Sequence, residues 1–162
     1  MAGGVTMFPY AAWLCWVIPV IGAILTPIIA MFDEKARDYF AVAVSLLAAI
    51  MAALLIPYGL SGRFHIPGVG EVALPADWRV HWIKIFGVEI DAGVLVDPLS
   101  IFMVNVVAWI SFLIMVYSLG YMHGEESLTR YWFFMNFFIG NMLLLVMSDN
   151  ILQMLFGWEG VG

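Results

Sequence analysis

Charged residues fall in bunches along this chain, and the intervals between the bunches are long and apolar. Five of them stand in "DEKARD" (33–38), eight between Arg63 and Asp97, and three in "EESLTR" (125–130), which leaves only Asp149 and Glu159 outside the clusters. A bilayer core of about 30 Å is crossed by around 20 apolar residues of helix. The pattern therefore predicts spans at about 8–32, 39–60, 98–122 and 131–147, with a fifth beginning near residue 150 and running to 162. Pro19 and Pro27 lie inside the first span, where neighbouring helices can satisfy the carbonyls that they free, so a kink is expected there and not a break.

The interval 61–97 has a different texture. It opens with Gly62, Pro67, Gly68, Gly70 and Pro75, and then "WIKIFGVEIDAGVLVD" alternates Ile83 and Ile85 with Lys84, and Val88 and Ile90 with Glu89 and Asp91. Period-two alternation, with Gly87 and the Ala92-Gly93 pair as places to turn, predicts a small β-hairpin at the membrane surface, with Trp78 and Trp82 at headgroup level. An irregular amphipathic loop is the alternative. Asp97 followed by Pro98 reads as a helix start, with the carboxylate as cap and proline in the first turn. Ser127 or Thr129 can cap the fourth span, and any of Ser148, Asp149 and Asn150 the fifth.

The predicted class is thus an all-α membrane protein, with four transmembrane helices plus the start of a fifth, a surface loop at 61–97 and a possible hairpin within it. Composition agrees: 64% of the 162 residues are hydrophobic and 11% charged, against about 45–50% and about 25% in soluble domains. The first span has no Lys or Arg before it and is too long for a secretory h-region, so it is expected to stay in the membrane. A net charge of −6 argues against nucleic acid as a partner. The single cysteine, Cys15, permits no intramolecular disulfide and no thiolate cluster, and no glycine-rich strand-to-helix fingerprint is present, so no metal and no flavin, iron–sulfur or nucleotide cofactor is expected in this chain.

Orientation follows from the basic residues. With the amino terminus outside, the short inner loops hold Lys35, Arg37 and Arg130, and the long outer loop holds Arg63, Arg79 and Lys84. The totals tie at three each, but short loops weigh more, which favours an outside amino terminus.

Glu159 is the residue this pattern does not absorb. Counted from Asp149, it lies about 15 Å along the fifth helix, the middle of a bilayer about 30 Å thick. An ionised carboxylate there costs at least about 2.5 kcal/mol, so it is expected to face a bundle interior or a water-filled cavity and to mark function. Desolvation favours its neutral form and a nearby cation its anion, so a group poised between them can relay a proton. The plainer alternative is a hydrogen bond to a neighbouring helix. Gly157, Gly160 and Gly162 remove bulk around it, letting helices approach. Asn136, Asn141 and Gln153 are candidates for bonds between helices, and His123 for an interfacial position.

The string "MSDNILQMLFGWEGVG" resembles the fifth transmembrane helix of the L-type (chain 5) antiporter-like subunit of respiratory complex I and its archaeal deazaflavin-dehydrogenase relatives. The likeness extends upstream through "VDPLSIFM", "YMHGEESLTRYWFF" and "FGVEIDAGVLVD". It covers the last eighty or so residues strongly and the first two spans by pattern. The related A subunit of multi-subunit sodium/proton antiporters is the alternative, but it reads closer to "WELTS" where this chain has "GWEGVG". The resemblance implies a proton relay at Glu159, paired with a lysine on a later helix. It also implies an outside amino terminus, other membrane and peripheral subunits as partners, and flavin and iron–sulfur clusters in those partners, with quinone or phenazine bound elsewhere. Members of that family are several times longer, so this sequence is expected to be an amino-terminal share whose fifth span is truncated, set in a prokaryotic cell membrane.

Overall fold

The computed structural model describes residues 8–162. Its elements, in chain order, are α1 (Ala11–Ala30), α2 (Glu34–Leu54), α3 (Ile56–Ser61), β1 (Arg63–Ile66), β2 (Gly70–Ala73), β3 (Ala76–Ile85), β4 (Val88–Val96), α4 (Pro98–Tyr121), α5 (Leu128–Met147) and α6 (Ile151–Val161). Among the described residues four helical segments are long and apolar enough to cross a membrane: α1, the continuous stretch Glu34–Ser61, α4 and α5. The all-α membrane class holds, with small sheets added between the second and third spans.

Boundaries follow local chemistry. The second span begins at Glu34, five residues before its apolar run, because Asp33 caps it by accepting from the Lys35 amide at 2.9 Å. Charged residues at the surface thus belong to the helix's first turn. Near its far end the helix resets at Leu55, just ahead of Pro57, which has no amide to donate. Asp97 caps α4 by accepting from the Ser100 amide, with Pro98 at the first position, as its sequence predicts. Ser127 holds the cap position of α5 but makes no side-chain cap bond. Helix α1 runs unbroken through Pro19 and Pro27.

In the bundle, α1 packs against α5 and α2, α2 against α4, and α5 against α6. Small residues on α2 make close approach possible: Ala41, Ala48, Ala49 and Ala52 are fully buried. Larger apolar side chains such as Ile24, Leu113, Ile114, Phe134 and Leu155 are exposed on the outside of the bundle. That inversion of the soluble rule suits a hydrocarbon solvent.

Two antiparallel hairpins, not one, occupy residues 62–97. In β1–β2, Arg63 pairs with Ala73 and Ile66 with Gly70. In β3–β4, Ala76 pairs with Val96 and Ile85 with Val88, around a two-residue turn in which Phe86 (φ 50°) and Gly87 (φ 82°) are both left-handed. Such a turn follows the natural twist of paired strands. The register shifts between His81 and Ile83, at Trp82. Trp78 meets Tyr10, Trp13 and Phe64 at centroid distances of 5.5, 6.1 and 6.4 Å, and Trp82 stands 5.9 Å from Phe156 of α6.

The hairpins, the start of α1 and the α5–α6 junction share one end of the bundle, where Val94 bridges Ser148. At the opposite end Arg37 donates from Nη1 to Thr129 Oγ1 at 2.7 Å, joining the first turns of α2 and α5.

Candidate functional site

Helix α6 starts at that crowded end. Asn150 is its cap, accepting from the Gln153 amide at 2.8 Å, while its own Nδ2 donates to the Asp91 carbonyl of β4 at 3.0 Å. Of the three candidate caps, then, Asn150 does the capping, and Asp149 does something the sequence does not announce. Its side chain is 1% exposed, and its Oδ2 accepts from Arg79 Nε of β3 at 2.7 Å. The hydrogen bond to Asp149 and the charges of Asp149 and Asp77 raise the Arg79 guanidinium above its ordinary value. Arg79 therefore stays a cation at any accessible pH.

Gln153 binds the hairpin twice. Its Oε1 accepts from the Gly93 amide at 2.9 Å and its Nε2 donates to the Gly93 carbonyl at 2.8 Å, both bonds being buried. A side-chain amide thus takes the place of a neighbouring strand. Gly93 also pairs across the sheet with Arg79, and a Cβ on it would collide with the Asp149 carboxylate. The missing side chain is what lets α6 begin against the sheet.

Further along, Gly157 and Gly160 seat α6 on α5. A Cβ at Gly157 would stand 2.9 Å from the Leu145 amide nitrogen and 3.0 Å from the Asn141 carbonyl, and one at Gly160 would overlap the Asn141 side chain. Gln153, Gly157 and Gly160 recur at i, i+4 and i+7, one face of a helix. Asn141 bonds back to Phe137 of its own helix at 2.8 Å, whereas Asn136 reaches the Ala41 carbonyl of α2 at 3.2 Å. Of the three amide candidates, only Asn136 joins two helices of the bundle.

Glu159 is offset from Gly157 by two residues, about 160° at 3.6 residues per turn. The glycines therefore clear the face toward α5, not the space around the carboxylate. The Glu159 side chain is exposed and makes no hydrogen bond or ion pair among the described residues. It stands eight residues into α6, about 12 Å along its axis. A crevice of about 330 Å³ opens nearer the hairpin, lined by Trp16, Trp82, Asp91, Leu144, Gln153 and Phe156. His123 is exposed at the end of α4.

A family profile described as NADH-ubiquinone oxidoreductase (complex I), chain 5 N-terminus, matches residues 82–132. NADH-quinone oxidoreductase subunit L of Rickettsia bellii is 31% identical over 159 residues, 96% of this chain and 23% of that protein. The Escherichia coli subunit L is 42% identical over 81 residues, 50% of this chain and 13% of that one. NADH-ubiquinone oxidoreductase chain 5 of Dictyostelium citrinum is 29% identical over 151 residues, covering 90% and 21%. The chain thus spans less than a quarter of the length of these relatives. Among solved structures, a chain of the membrane-bound sulfane sulfur reductase, an archaeal respiratory membrane complex, superposes with a TM-score of 0.71. It is 16% identical, and the match covers 93% of this chain and 28% of that one. That likeness concerns the fold. These matches place the chain among the homologues of NADH-quinone oxidoreductase subunit L and complex I chain 5, with the N-terminal family segment of chain 5 at residues 82–132.

Proposed function

We propose that this chain is the amino-terminal part of a proton-translocating, antiporter-like subunit in a redox-driven membrane complex, and that Glu159 is its proton relay. The observation that carries the reading is a lone carboxylate about 12 Å into an otherwise uncharged helix whose first turn is bonded to the β3–β4 hairpin. A charge facing hydrocarbon there is costly, so the open face of α6 meets a further helix, and a lysine on that helix is the partner we propose. Arrival of its ammonium favours the carboxylate and its departure the acid, so the pair takes up and releases a proton in turn. Relatives more than four times as long have room for such a helix.

Electron transfer belongs, in this reading, to partner subunits that carry flavin and iron–sulfur clusters, with NADH or reduced deazaflavin as donor and quinone or phenazine as acceptor. The subunit lies in the cell membrane with its amino terminus and hairpins outside. The similarity to subunits named for NADH-quinone oxidoreductase favours this over the A subunit of a sodium/proton antiporter.

The test is Glu159→Gln in the assembled complex. Respiration-driven acidification of inverted vesicles falls by about a hundredfold, the scale of a lost proton-transfer group, while the content of assembled complex stays unchanged. Normal pumping at a normal proton-to-electron ratio would refute the relay.

A further inference from the structure

We infer that Gln153 and Gly93 are positioning residues: the double hydrogen bond between them sets the height and rotation of α6, and thereby where the Glu159 carboxyl stands. The inference rests on the relay reading of Glu159 and deepens it, because nothing in that reading says what holds the relay in place.

Three observations converge. Gln153 satisfies both backbone groups of Gly93, at 2.9 and 2.8 Å, and two bonds from one planar amide fix rotation as well as distance. Around that joint the Asn150 Nδ2 bond to the Asp91 carbonyl at 3.0 Å, the Arg79–Asp149 pair at 2.7 Å and the Val94–Ser148 bridge tie the same six residues of chain to the same hairpin. The third is the helical register. Gln153 lies on the face that continues through Gly157 and Gly160 onto α5, and Glu159 is six residues beyond it, about 9 Å higher and about 120° around the axis. Glycine contacts alone allow a helix to slide, since they carry no directional bond. The amide joint removes that freedom.

A relay exchanging a proton with groups on another helix needs its carboxyl within hydrogen-bond reach of them, so a displacement of about 1 Å is enough to cost a large factor in rate. Placing the joint in a hairpin outside the hydrocarbon, braced on the first turn of α6, gives the relay a fixed reference at the membrane surface.

The experiment uses the assembled complex in native membranes, with three readings: complex content, respiration-driven acidification of inverted vesicles, and the infrared difference band of the Glu159 carboxyl, identified by its loss in Glu159→Gln. Gln153→Met keeps side-chain length and removes both bonds. Per assembled complex, acidification is expected to fall by about tenfold or more, with the carboxyl band displaced. Gly93→Ala attacks the joint from the other side by pushing on Asp149, and is expected to give the same two changes. Glu71→Gln on β2, outside the joint, is expected to change nothing.

Normal rate with an undisplaced band in Gln153→Met, alongside an impaired Glu159→Gln, overturns the positioning role and leaves the relay standing. Normal transport by Glu159→Gln overturns the relay, and the positioning role with it. Should Gln153→Met fail to assemble, the Gly93→Ala complex decides: loss of complex content with an undisplaced band in what remains marks a purely structural joint and overturns the inference.

Discussion

Arg37 Nη1 donates to Thr129 Oγ1 at 2.7 Å across 92 residues of sequence, so the start of the second span is hydrogen-bonded to the start of the fourth. The same guanidinium lies 2.8 Å from Asp38, with the two side chains 6% and 25% exposed. Removing a well-buried cation strands its partner, and the penalty for that exceeds the worth of the pair itself. Because Asp38 keeps some access to water, Arg37→Met is expected to destabilise the chain by about 1–3 kcal/mol, below the figure for a fully buried pair. Thr129→Val, which removes one bond and leaves the ion pair, is expected to cost about 1 kcal/mol. Thermal unfolding of the purified complex, followed through this subunit, orders the two variants.

Gly157 predicts a sharper dependence on size. With a Cβ there 2.9 Å from the Leu145 amide nitrogen, Gly157→Ala forces α6 off α5 by a few tenths of an ångström. Rigid backbone, not a yielding side chain, is the obstacle. The expected loss is about 1–3 kcal/mol for alanine, with Gly157→Val worse. Content of assembled complex, measured by blue-native electrophoresis of membranes from each strain, should fall in the order Gly, Ala, Val. Equal content for all three would mean that α6 does not sit where its glycines put it.

Much of this architecture is legible in the residues themselves, and the reasons differ from part to part. Spans are readable because hydrocarbon tolerates few charges, and Asp97-Pro98 because a capping carboxylate before proline has a local cause. The β3–β4 hairpin shows in its period-two alternation. The smaller β1–β2 hairpin is harder: Phe64 and Ile66 are buried while Arg63 and His65 are exposed, but four residues hemmed in by glycines give too short a run to separate from loop. Least legible are the long-range partners. Nothing near Gln153 reveals that its amide meets Gly93, or that Asp149 meets Arg79, since each pair depends on how a hairpin folds back over a helix end. The direction of Glu159 is likewise a matter of which face of α6 the glycines claim, and the face that Gly157 and Gly160 claim is turned about 120° from the carboxylate.

The Arg79–Asp149 pair is asymmetric, and the asymmetry can be measured. Arg79 is 53% exposed and Asp149 1%, so losing the arginine leaves a buried carboxylate with the Asn150 amide at 2.7 Å as its remaining side-chain donor. Losing the charge on Asp149 instead leaves a guanidinium that water solvates. Arg79→Met is therefore expected to cost about 1–3 kcal/mol and Asp149→Asn less than about 1 kcal/mol. The double variant is expected to fall close to Asp149→Asn alone, because no uncompensated charge remains. Denaturation midpoints of the four proteins close the cycle.

Orientation is the last expectation to test. The hairpin end and the Arg37–Thr129 end must lie on opposite sides of the bilayer, because the spans between them alternate in direction. Lys35 and Arg130 are exposed at the short connections, where positive charge resists translocation most strongly. On the other side Arg63, Arg79 and Lys84 each stand within 3.6 Å of a carboxylate. An outside hairpin is the orientation expected from the basic residues of the short connections. Phe86, wholly exposed at the turn, and Glu126 in the connection before α5 are reporters for the two sides, and buried Cys15 contributes little background. Phe86→Cys is expected to react with a membrane-impermeant maleimide in intact cells, and Glu126→Cys only after permeabilisation. The reverse pattern would put Lys35 and Arg130 outside and overturn this orientation.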